Sequence, residues 1–425
     1  MRIPSLNSKG TDVKEVQSIL KKLNYYESNI DGIFGEKTQE AISKLQQDNN
    51  LEINGKLDIK TYSYIRSLLL GYYRYKVKGK NTIENILEKY NTSLDHVISS
   101  NPNIDLDNIK NNDEIIIPYD LEIVRTDIDY TYEILERNIS SLKTIYPFIE
   151  EGVIGNSILG KNIYYLKIGE GPNHVFYNAC HHSLEWITSL LLMKFTENIC
   201  NAYVKNESIR GYDIKDLLSK SSIFIVPMVN PDGVDLVLKG LDPTSKYYGR
   251  LIKLNKGNLN FSTTWQSNIR GVDLNHNYNA SWKQSKFSEK QNKIYGPGPT
   301  RYSGDFPESE PESKALANFT RFNDFKMVLA YHSQGKEIYW NYKNMAPDIS
   351  KDIGEKFSKV SGYKLSEPEG MASFSGYKDW FISKFKRPGF TIEVGEGTNP
   401  LPISQFEEIY NDNEEILLMA PSLTI

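Results

Sequence analysis

Four apolar segments in the second half of the chain end in residues that titrate or bind metals. "NHVFYNAC" runs into His181 and His182, and "KMVLAYHSQG" carries His332. "SSIFIVPMVNPDG" ends in an Asn-Pro-Asp-Gly turn at residues 230–233, and "GFTIEVGEG" carries Glu393. Because these runs are apolar on both faces, they are typical of strands in a sheet that helices cover on both sides. We therefore predict an α/β sheet whose titratable residues gather outside the carboxyl ends of its strands.

Length and composition limit the class of protein. The 425 residues exceed what one core usually organises, so two or three domains are expected. The net charge of −4 gives no basic excess, so we expect no nucleic-acid partner. No window reaches the roughly eighteen apolar residues of a membrane span, so none is expected. The N-terminus lacks the basic and then apolar pattern of a secretory signal.

Residues 1–70 carry three short helical patterns, in "SKGTDVKEVQSILKKLNYY", "NIDGIFGEKTQEAISKLQQ" and "GKLDIKTYSYIRSLL". Periodicity alone predicts a small all-α three-helix module, for which a generic helical adaptor is one interpretation. The sequence resembles the bacterial peptidoglycan-binding three-helix domain in three motifs: "G-x-D-V-x-x-V-Q", "Y-Y-x-x-x-I-D-G-I-F-G-x-x-T" and "A-I-x-x-L-Q". That resemblance implies a module that holds the chain on the cell wall.

Residues 71–120 form a second small pattern. Strand-like residues 75–77 and 115–117 enclose two short amphipathic stretches, residues 83–90 and 94–99. This βααβ order resembles a LysM module, whose relatives bind chains that contain N-acetylglucosamine. The resemblance implies that both modules bind glycan and raise the effective concentration of the next wall bond.

The stretch "YNACHHSLEWITS" places His182 and Glu185 three residues apart, directly after a predicted strand. Zinc binds imidazole nitrogen and carboxylate oxygen readily, and His332 is the best third ligand because it stands at the same edge of the sheet. Spacing alone leaves two interpretations open, a metal site and a polar turn.

Six ordered motifs favour the metal: "N-A-C-H-H-S-L-E-W-I-T", "V-P-M-V-N-P-D-G-V", "G-V-D-L-N-H-N-Y", "Y-S-G-D-F-P-E-S-E-P-E-S", "Y-H-S-Q-G" and "K-D-W-F-I…P-G-F-T-I-E-V-G". Their order resembles the zinc carboxypeptidase family, and most of all its bacterial γ-D-glutamyl-diaminopimelate peptidase branch. The resemblance implies that His182, Glu185 and His332 bind one zinc ion. Glu393, in "F-T-I-E", matches the family's general base.

The remaining site residues depart from the family pattern. Gln266 follows the tryptophan where the family has an arginine, so we assign oxyanion stabilisation to Arg270, with a surface arginine as the alternative. The family's Asn-Arg pair, which binds a terminal carboxylate, is Asn275 and His276 here, and imidazole is a weaker and pH-dependent partner. Lys378 occupies the position that sets side-chain specificity, where its charge suits an acidic or amino-carboxylate substrate. The alternative is that Lys378 points to solvent.

Together these observations predict a multidomain fold: a three-helix module, a LysM-like module and, over residues 121–425, a large α/β carboxypeptidase-like domain with a mixed central sheet flanked by helices. The expected function is zinc-dependent hydrolysis of the γ-D-glutamyl-meso-diaminopimelate bond in peptidoglycan stem peptides. Three alternatives stay open: a general zinc carboxypeptidase with a wall anchor, an inactive cell-wall-binding protein, and an amidase that cuts between muramic acid and L-alanine.

The expected partners are peptidoglycan glycan strands and stem peptides. The wall-binding modules predict action on the wall, whereas the missing signal predicts cytoplasmic synthesis. Related diaminopimelate peptidases without signals are linked to sporulating cells, which implies a mother-cell, spore or lysis-released enzyme. The sequence indicates no oligomeric state.

Overall fold

The computed structural model describes residues 3–78, 82–90, 92–367 and 374–423. Internal contacts separate two units, one formed by Met1–Asp129 with Glu136–Phe148 and the other by Tyr130–Leu135 with Ile149–Ile425. Within the described ranges, every helix is too short or too polar to cross a membrane.

Three helices open the first unit: α1 (Thr11–Lys22), α2 (Glu36–Asp48) and α3 (Ile59–Leu70). Their buried faces meet in one core that includes Val16, Ile42 and Ile65. The carboxylate of Asp58 caps α3 by accepting a hydrogen bond from the backbone N–H of Thr61 at 2.9 Å. The predicted three-helix module is confirmed.

A two-stranded sheet with two helices completes the first unit. It contains β1 (Tyr72–Lys76), α4 (Ile83–Tyr90), α5 (Leu94–Ser100) and β2 (Glu114–Pro118). The two strands pair antiparallel and are longer than the predicted segments, because the ladder extends outward to Tyr72 and Pro118. A separate small core lies between strands and helices, with Ile86, Val97 and Ile115 among its members. The next helix, α6 (Tyr132–Ile145), contributes residues to both units.

An eight-stranded mixed sheet forms the centre of the second unit. The strands of this unit are β3 (Glu150–Asn156), β4 (Asn162–Ile168), β5 (Asn173–Ala179), the hairpin β6 (Ser208–Ile209) and β7 (Tyr212–Asp213), β8 (Ser221–Val226), β9 (Met327–Ser333), β10 (Glu337–Tyr339), β11 (Lys364–Ser366) and β12 (Gly389–Val394). The order in the large sheet is β11-β10-β12-β9-β5-β8-β4-β3. Its four central strands are parallel, and antiparallel pairs flank them.

Helices cover both faces of this sheet, as predicted. They are α7 (Trp186–Lys205), α8 (Ile214–Lys220), α9 (Pro231–Lys239), α10 (Tyr248–Leu254), α11 (Trp282–Gln291), α12 (Pro311–Phe322), α13 (Ile349–Ser361), α14 (Tyr377–Phe385) and α15 (Phe406–Ser422). Two successive residues of β5 contact helices on opposite faces of the sheet. Phe176 packs in the cluster that contains Leu316 of α12 and Phe381 of α14. Tyr177 points to the other face, where its hydroxyl donates to the carbonyl of Leu417 in α15 at 2.8 Å.

The predicted turn at residues 230–233 is in fact the beginning of α9, and the turn prediction is wrong. The Asn230 side chain accepts a hydrogen bond from the backbone N–H of Gly233 at 3.1 Å, and Pro231 occupies the first helical position. Both residue types favour a helix start, which explains the difference. The same Asn230 side chain donates to the carbonyl oxygen of His181 at 3.0 Å, so α9 also holds the loop that follows β5.

Candidate metal centre and catalytic site

The two adjacent histidines after β5 point in different directions. His181 is fully buried, and its Nε2 lies 3.0 Å from the hydroxyl of Tyr278. Burial lowers the pKa of His181, which keeps the ring neutral. Its neighbour His182 faces Glu185, which ends a short 3-10 turn (Ser183–Glu185) that leads into α7. His182 is therefore the ligand candidate of the pair, and His181 supports the fold.

The structure brings His182, Glu185 and His332 together. One ligand atom from each lies within 4.8 Å of the other two. The Nδ1 of His182 is 2.9 Å from Oε1 of Glu185, and the Nδ1 of His332 is 2.9 Å from Oε2 of the same carboxylate. Two strands of the central sheet supply the positions, since His182 follows β5 and His332 lies in the adjacent β9.

This donor set fits a zinc ion. Zinc accepts two imidazole nitrogens and one carboxylate, and tetrahedral ligands at about 2.0 Å from the metal lie roughly 3.3 Å from one another. The observed nitrogen to oxygen separations of 2.9 Å are close to that spacing. Both Nδ1 atoms converge on a single buried carboxylate, so one ion can bind all three side chains with small adjustments.

Asp273 fixes the orientation of His182 from behind. Its Oδ1 lies 3.0 Å from the Nε2 of His182, and its Oδ2 accepts a hydrogen bond from the backbone N–H of Arg301 at 2.8 Å. Burial alone would raise the pKa of Asp273, but the charges of His182 and His276 outweigh burial and hold it below the usual range. Asp273 was not predicted as a site residue from the sequence, although "G-V-D-L-N-H-N-Y" contains it.

Glu393 lies beside the cluster. In the sheet register it pairs with His332 of β9 on one side and with Glu337 of β10 on the other. Burial, and next the nearby Glu185 carboxylate, raise the pKa of Glu393. Among the described residues its carboxylate has neither a hydrogen-bond partner nor an ion-pair partner. A carboxylate without a structural partner is available to accept a proton from substrate or water.

Three further predicted residues lie together at the beginning of α14. Asn275 accepts a hydrogen bond from the backbone N–H of Tyr377 at 3.0 Å, and the Nδ1 of His276 lies 3.1 Å from the carbonyl oxygen of Phe374. Lys378 is only 4% exposed and donates to the carbonyl of Asn341 at 2.7 Å. Its ammonium group also pairs with the buried Asp379 carboxylate at 2.5 Å. Lys378 thus points into the protein rather than to solvent, and its role in recognition stays a prediction.

Arg270 has other partners in the structure. Its guanidinium lies 3.6 Å from the buried carboxylate of Glu310, which is not a member of the metal-ligand cluster. Gln266, at the position after the tryptophan, instead lines the cleft beside the cluster and accepts a hydrogen bond from the hydroxyl of Thr300 at 2.6 Å.

The comparisons with known proteins agree with this geometry. The sequence model of the zinc carboxypeptidase family matches residues 135–416, and that of a putative peptidoglycan binding domain matches residues 9–65. The chain is 42% identical over 291 residues to gamma-D-glutamyl-L-diamino acid endopeptidase 1 of Lysinibacillus sphaericus, covering 68% of this chain and 72% of that protein. It is 36% identical over 293 residues to an uncharacterized protein of Bacillus subtilis strain 168, and the match covers 68% of this chain and 77% of that protein.

Solved structures share the fold. Bovine thrombin-activatable fibrinolysis inhibitor, in complex with tick carboxypeptidase inhibitor, superimposes with a TM-score of 0.52 at 20% identity. The match covers 70% of this chain and 96% of that one.

Proposed function

The chain belongs to the zinc carboxypeptidase family and is a zinc metallopeptidase, and from that premise we propose that it hydrolyses the γ-D-glutamyl-meso-diaminopimelate bond of peptidoglycan stem peptides. The proposed reaction rests on the cluster formed by His182, Glu185 and His332. Glu393 pairs with His332 in the sheet register, and its carboxylate has no hydrogen-bond or ion-pair partner among the described residues. The substrate is supported by the likeness to the Lysinibacillus endopeptidase and by the peptidoglycan-binding match at residues 9–65.

In this proposal His182 and His332 would hold a zinc ion through Nδ1, and Glu185 would hold it through its carboxylate. The ion would supply a water molecule of lowered pKa, about 7 instead of about 16, and polarisation of the scissile carbonyl. Asp273 accepts a hydrogen bond from the Nε2–H group of His182, which leaves Nδ1 without a proton and able to bind the metal. Glu393 accepts a proton from the attacking water and later donates it to the leaving amino group.

The other residues are assigned by their positions. Asn275, His276 and Lys378, which lie around the start of α14, are proposed to contact the diaminopimelate part of the substrate. For the developing oxyanion we propose the side-chain amide of Gln266 rather than Arg270, because Gln266 lines the cleft and Arg270 pairs with Glu310. A preorganised amide donor can serve this role.

We also propose that residues 1–70 and 71–120 are two wall-binding modules, the second of the LysM type, and that residues 121–425 form the catalytic domain. The antiparallel pairing of β1 with β2 and the small core between these strands and α4 and α5 support the LysM assignment. Purified glycan strands without stem peptides test it in the full chain. Binding of such strands is expected, and failure to bind any glycan would overturn the assignment. A sporulation-linked origin remains part of the proposal and is tested by the timing of expression.

Mass spectrometry of products tests the proposed bond. Disaccharide-tripeptide and disaccharide-tetrapeptide muropeptides are incubated with the zinc-loaded chain. The expected product pair is a disaccharide bearing L-alanyl-D-glutamate and a released diaminopimelate-containing fragment. A released disaccharide without peptide would instead identify an amidase, and unchanged muropeptides would contradict the proposal.

Ordinary α-linked peptides distinguish the nearest rival, a general carboxypeptidase with a wall anchor. The proposal expects turnover of the γ-linked substrate and little turnover of C-terminal residues from α-linked peptides. Comparable rates on both substrate types would favour the rival.

A further inference from the structure

A cleft of about 780 Å³ adjoins the metal-ligand cluster. Gln266, Gln334 and Asn399 are among its lining residues. The side-chain nitrogen of Asn399 lies 3.4 Å from Oε1 of Glu185, so a single side chain separates the cleft from the ligand carboxylate. A substrate group in this cleft would therefore lie close to the metal-ligand cluster.

The cleft has a positive rim. Lys256, Lys293 and Arg301 line it, and none of the described residues that line it is Asp or Glu. Within the described part of the chain, none of these three cations forms an ion pair. Positive charge that has no partner on the protein attracts an anionic group of a ligand.

Of the three cations, Arg301 is the one whose backbone contacts Asp273, the residue that orients His182. Its backbone N–H donates to Oδ2 of Asp273 at 2.8 Å, and Oδ1 of Asp273 is the partner of His182. The backbone of Arg301 has a φ of 65°, the left-handed conformation that a non-glycine residue adopts at a cost. The backbone of Arg301 is thus held by the same carboxylate that orients His182.

Under the proposed function, the cleft is assigned to the acyl side of the scissile bond. The residues proposed for the leaving group, Asn275 and His276, contact the start of α14 and are not among the cleft's lining residues. The acyl residue of the proposed substrate is a γ-linked glutamate, whose side-chain carboxyl forms the peptide bond. Its α-carboxylate is therefore free, whereas an α-linked residue has no anion at that place.

We propose that Arg301 binds the free α-carboxylate of the γ-linked glutamyl residue and thereby selects γ-linked over α-linked bonds. This inference rests on the proposed function and names the group that distinguishes its substrate. The planar guanidinium can form two parallel hydrogen bonds with a carboxylate, which adds geometric selection to charge. Lys256 and Lys293 extend the positive field around the same cleft.

Two synthetic substrates that differ in one group test the proposal: L-alanyl-γ-D-glutamyl-diaminopimelate, and the same peptide with the glutamyl α-carboxylate amidated. The wild-type chain should prefer the free carboxylate by roughly 10- to 100-fold in kcat/KM, as expected for hydrogen bonds to a charged group. Arg301→Gln should lose that preference, chiefly through a higher KM for the carboxylate substrate. Arg301→Lys should retain part of it. Lys356→Gln, which removes an exposed cation from α13, is the matched control and should keep the full preference.

Each other outcome has a distinct meaning. Cleavage of both peptides at equal rates by the wild-type chain would overturn the Arg301 inference and leave the proposed function intact. An equal fall in kcat on both peptides in Arg301→Gln would assign Arg301 to the reacting centre and also overturn it. Cleavage of neither peptide would refute the proposed function and the inference with it. Zinc content and thermal stability of each variant establish that the fold is kept.

Discussion

The Nε2 atom of His182 lies 3.0 Å from Oδ1 of Asp273, while the Nδ1 atom of the same ring lies 2.9 Å from Glu185. The imidazole therefore stands between the buried Asp273 carboxylate, which orients it, and the Glu185 carboxylate, which is proposed to bind the same zinc ion. Because an ionised Asp273 accepts a hydrogen bond from Nε2, the nitrogen left to bind zinc is Nδ1.

Asp273→Asn should weaken zinc binding by roughly 10- to 100-fold. The asparagine amide is a weaker acceptor than the carboxylate. Its NH2 group can also donate to Nε2 of His182, which would leave the ring proton on Nδ1, the nitrogen proposed to bind zinc. The zinc dissociation constant, measured by competition with a chelating dye, checks this prediction. Asp352→Asn removes an exposed carboxylate from α13 and serves as the control. Equal zinc affinity in the Asp273 variant and the wild type would show that Asp273 does not orient the ligand.

Zinc should stabilise the second unit, and His332→Ala should remove most of that gain. At a free zinc concentration of about 100 times the dissociation constant, binding adds about 2.7 kcal/mol to the free energy of unfolding. The measured quantity is the rise in melting temperature between chelator and zinc, compared within each variant. This comparison separates metal binding from the cavity that the substitution leaves. A rise as large in His332→Ala as in the wild type would argue against His332 as a ligand.

Glu312 should make stability fall as pH rises. Burial, together with the nearby Asp232 and Glu310 carboxylates, raises the pKa of Glu312 from 4.5 to about 8. The folded chain therefore keeps a proton that the unfolded chain releases above about pH 4.5, so the stabilising contribution present at low pH is lost between about pH 4.5 and 8.

Glu312→Gln cannot ionise, so its melting temperature should rise relative to the wild type as the pH is raised from 5 to 8. Glu355→Gln, at an exposed position in α13, should show no such trend. A difference between Glu312→Gln and wild type that is the same at both pH values would contradict the predicted protonation.

Lys378→Met should destabilise the second unit by about 3 kcal/mol or more, because the buried Asp379 carboxylate would lose its charge partner. The double variant Lys378→Met with Asp379→Asn should recover much of this loss, since no uncompensated charge is left. Chemical unfolding followed by tryptophan fluorescence checks both variants. If the double variant is as unstable as the single one, the ion pair is not what Lys378 contributes to folding.

The sheet and the ligand cluster were predictable from the sequence for a physical reason. A parallel strand buried on both faces must be a continuous apolar run, and such a run marks where its strand ends. His182 and His332 could therefore be placed at one edge of the sheet before their distance was known. The helical spacing in residues 1–70 similarly predicted three helices, because a small core requires one apolar face on each.

The residues that the sequence did not place are held by contacts between distant segments. Arg301 reaches Asp273 through a backbone hydrogen bond made by an irregular loop, which has no periodicity to read. The pairing of Arg270 with Glu310 likewise depends on how the loop before Asp273 packs against the start of α12. The start of α9 was mistaken for a turn because an Asn-Pro-Asp-Gly sequence suits both structures, and only the hydrogen bond from Gly233 to Asn230 distinguishes them.

The most direct test of the account is the rate at which zinc-loaded Glu393→Gln hydrolyses the γ-D-glutamyl-diaminopimelate bond of a defined tripeptide. Glutamine keeps the size of the side chain and cannot accept the proton, so kcat should fall by roughly 100- to 10,000-fold while zinc content stays equal to that of the wild type. A variant that binds zinc and retains a rate within a few fold of the wild type would contradict the assignment of Glu393 as the base and the mechanism built on it.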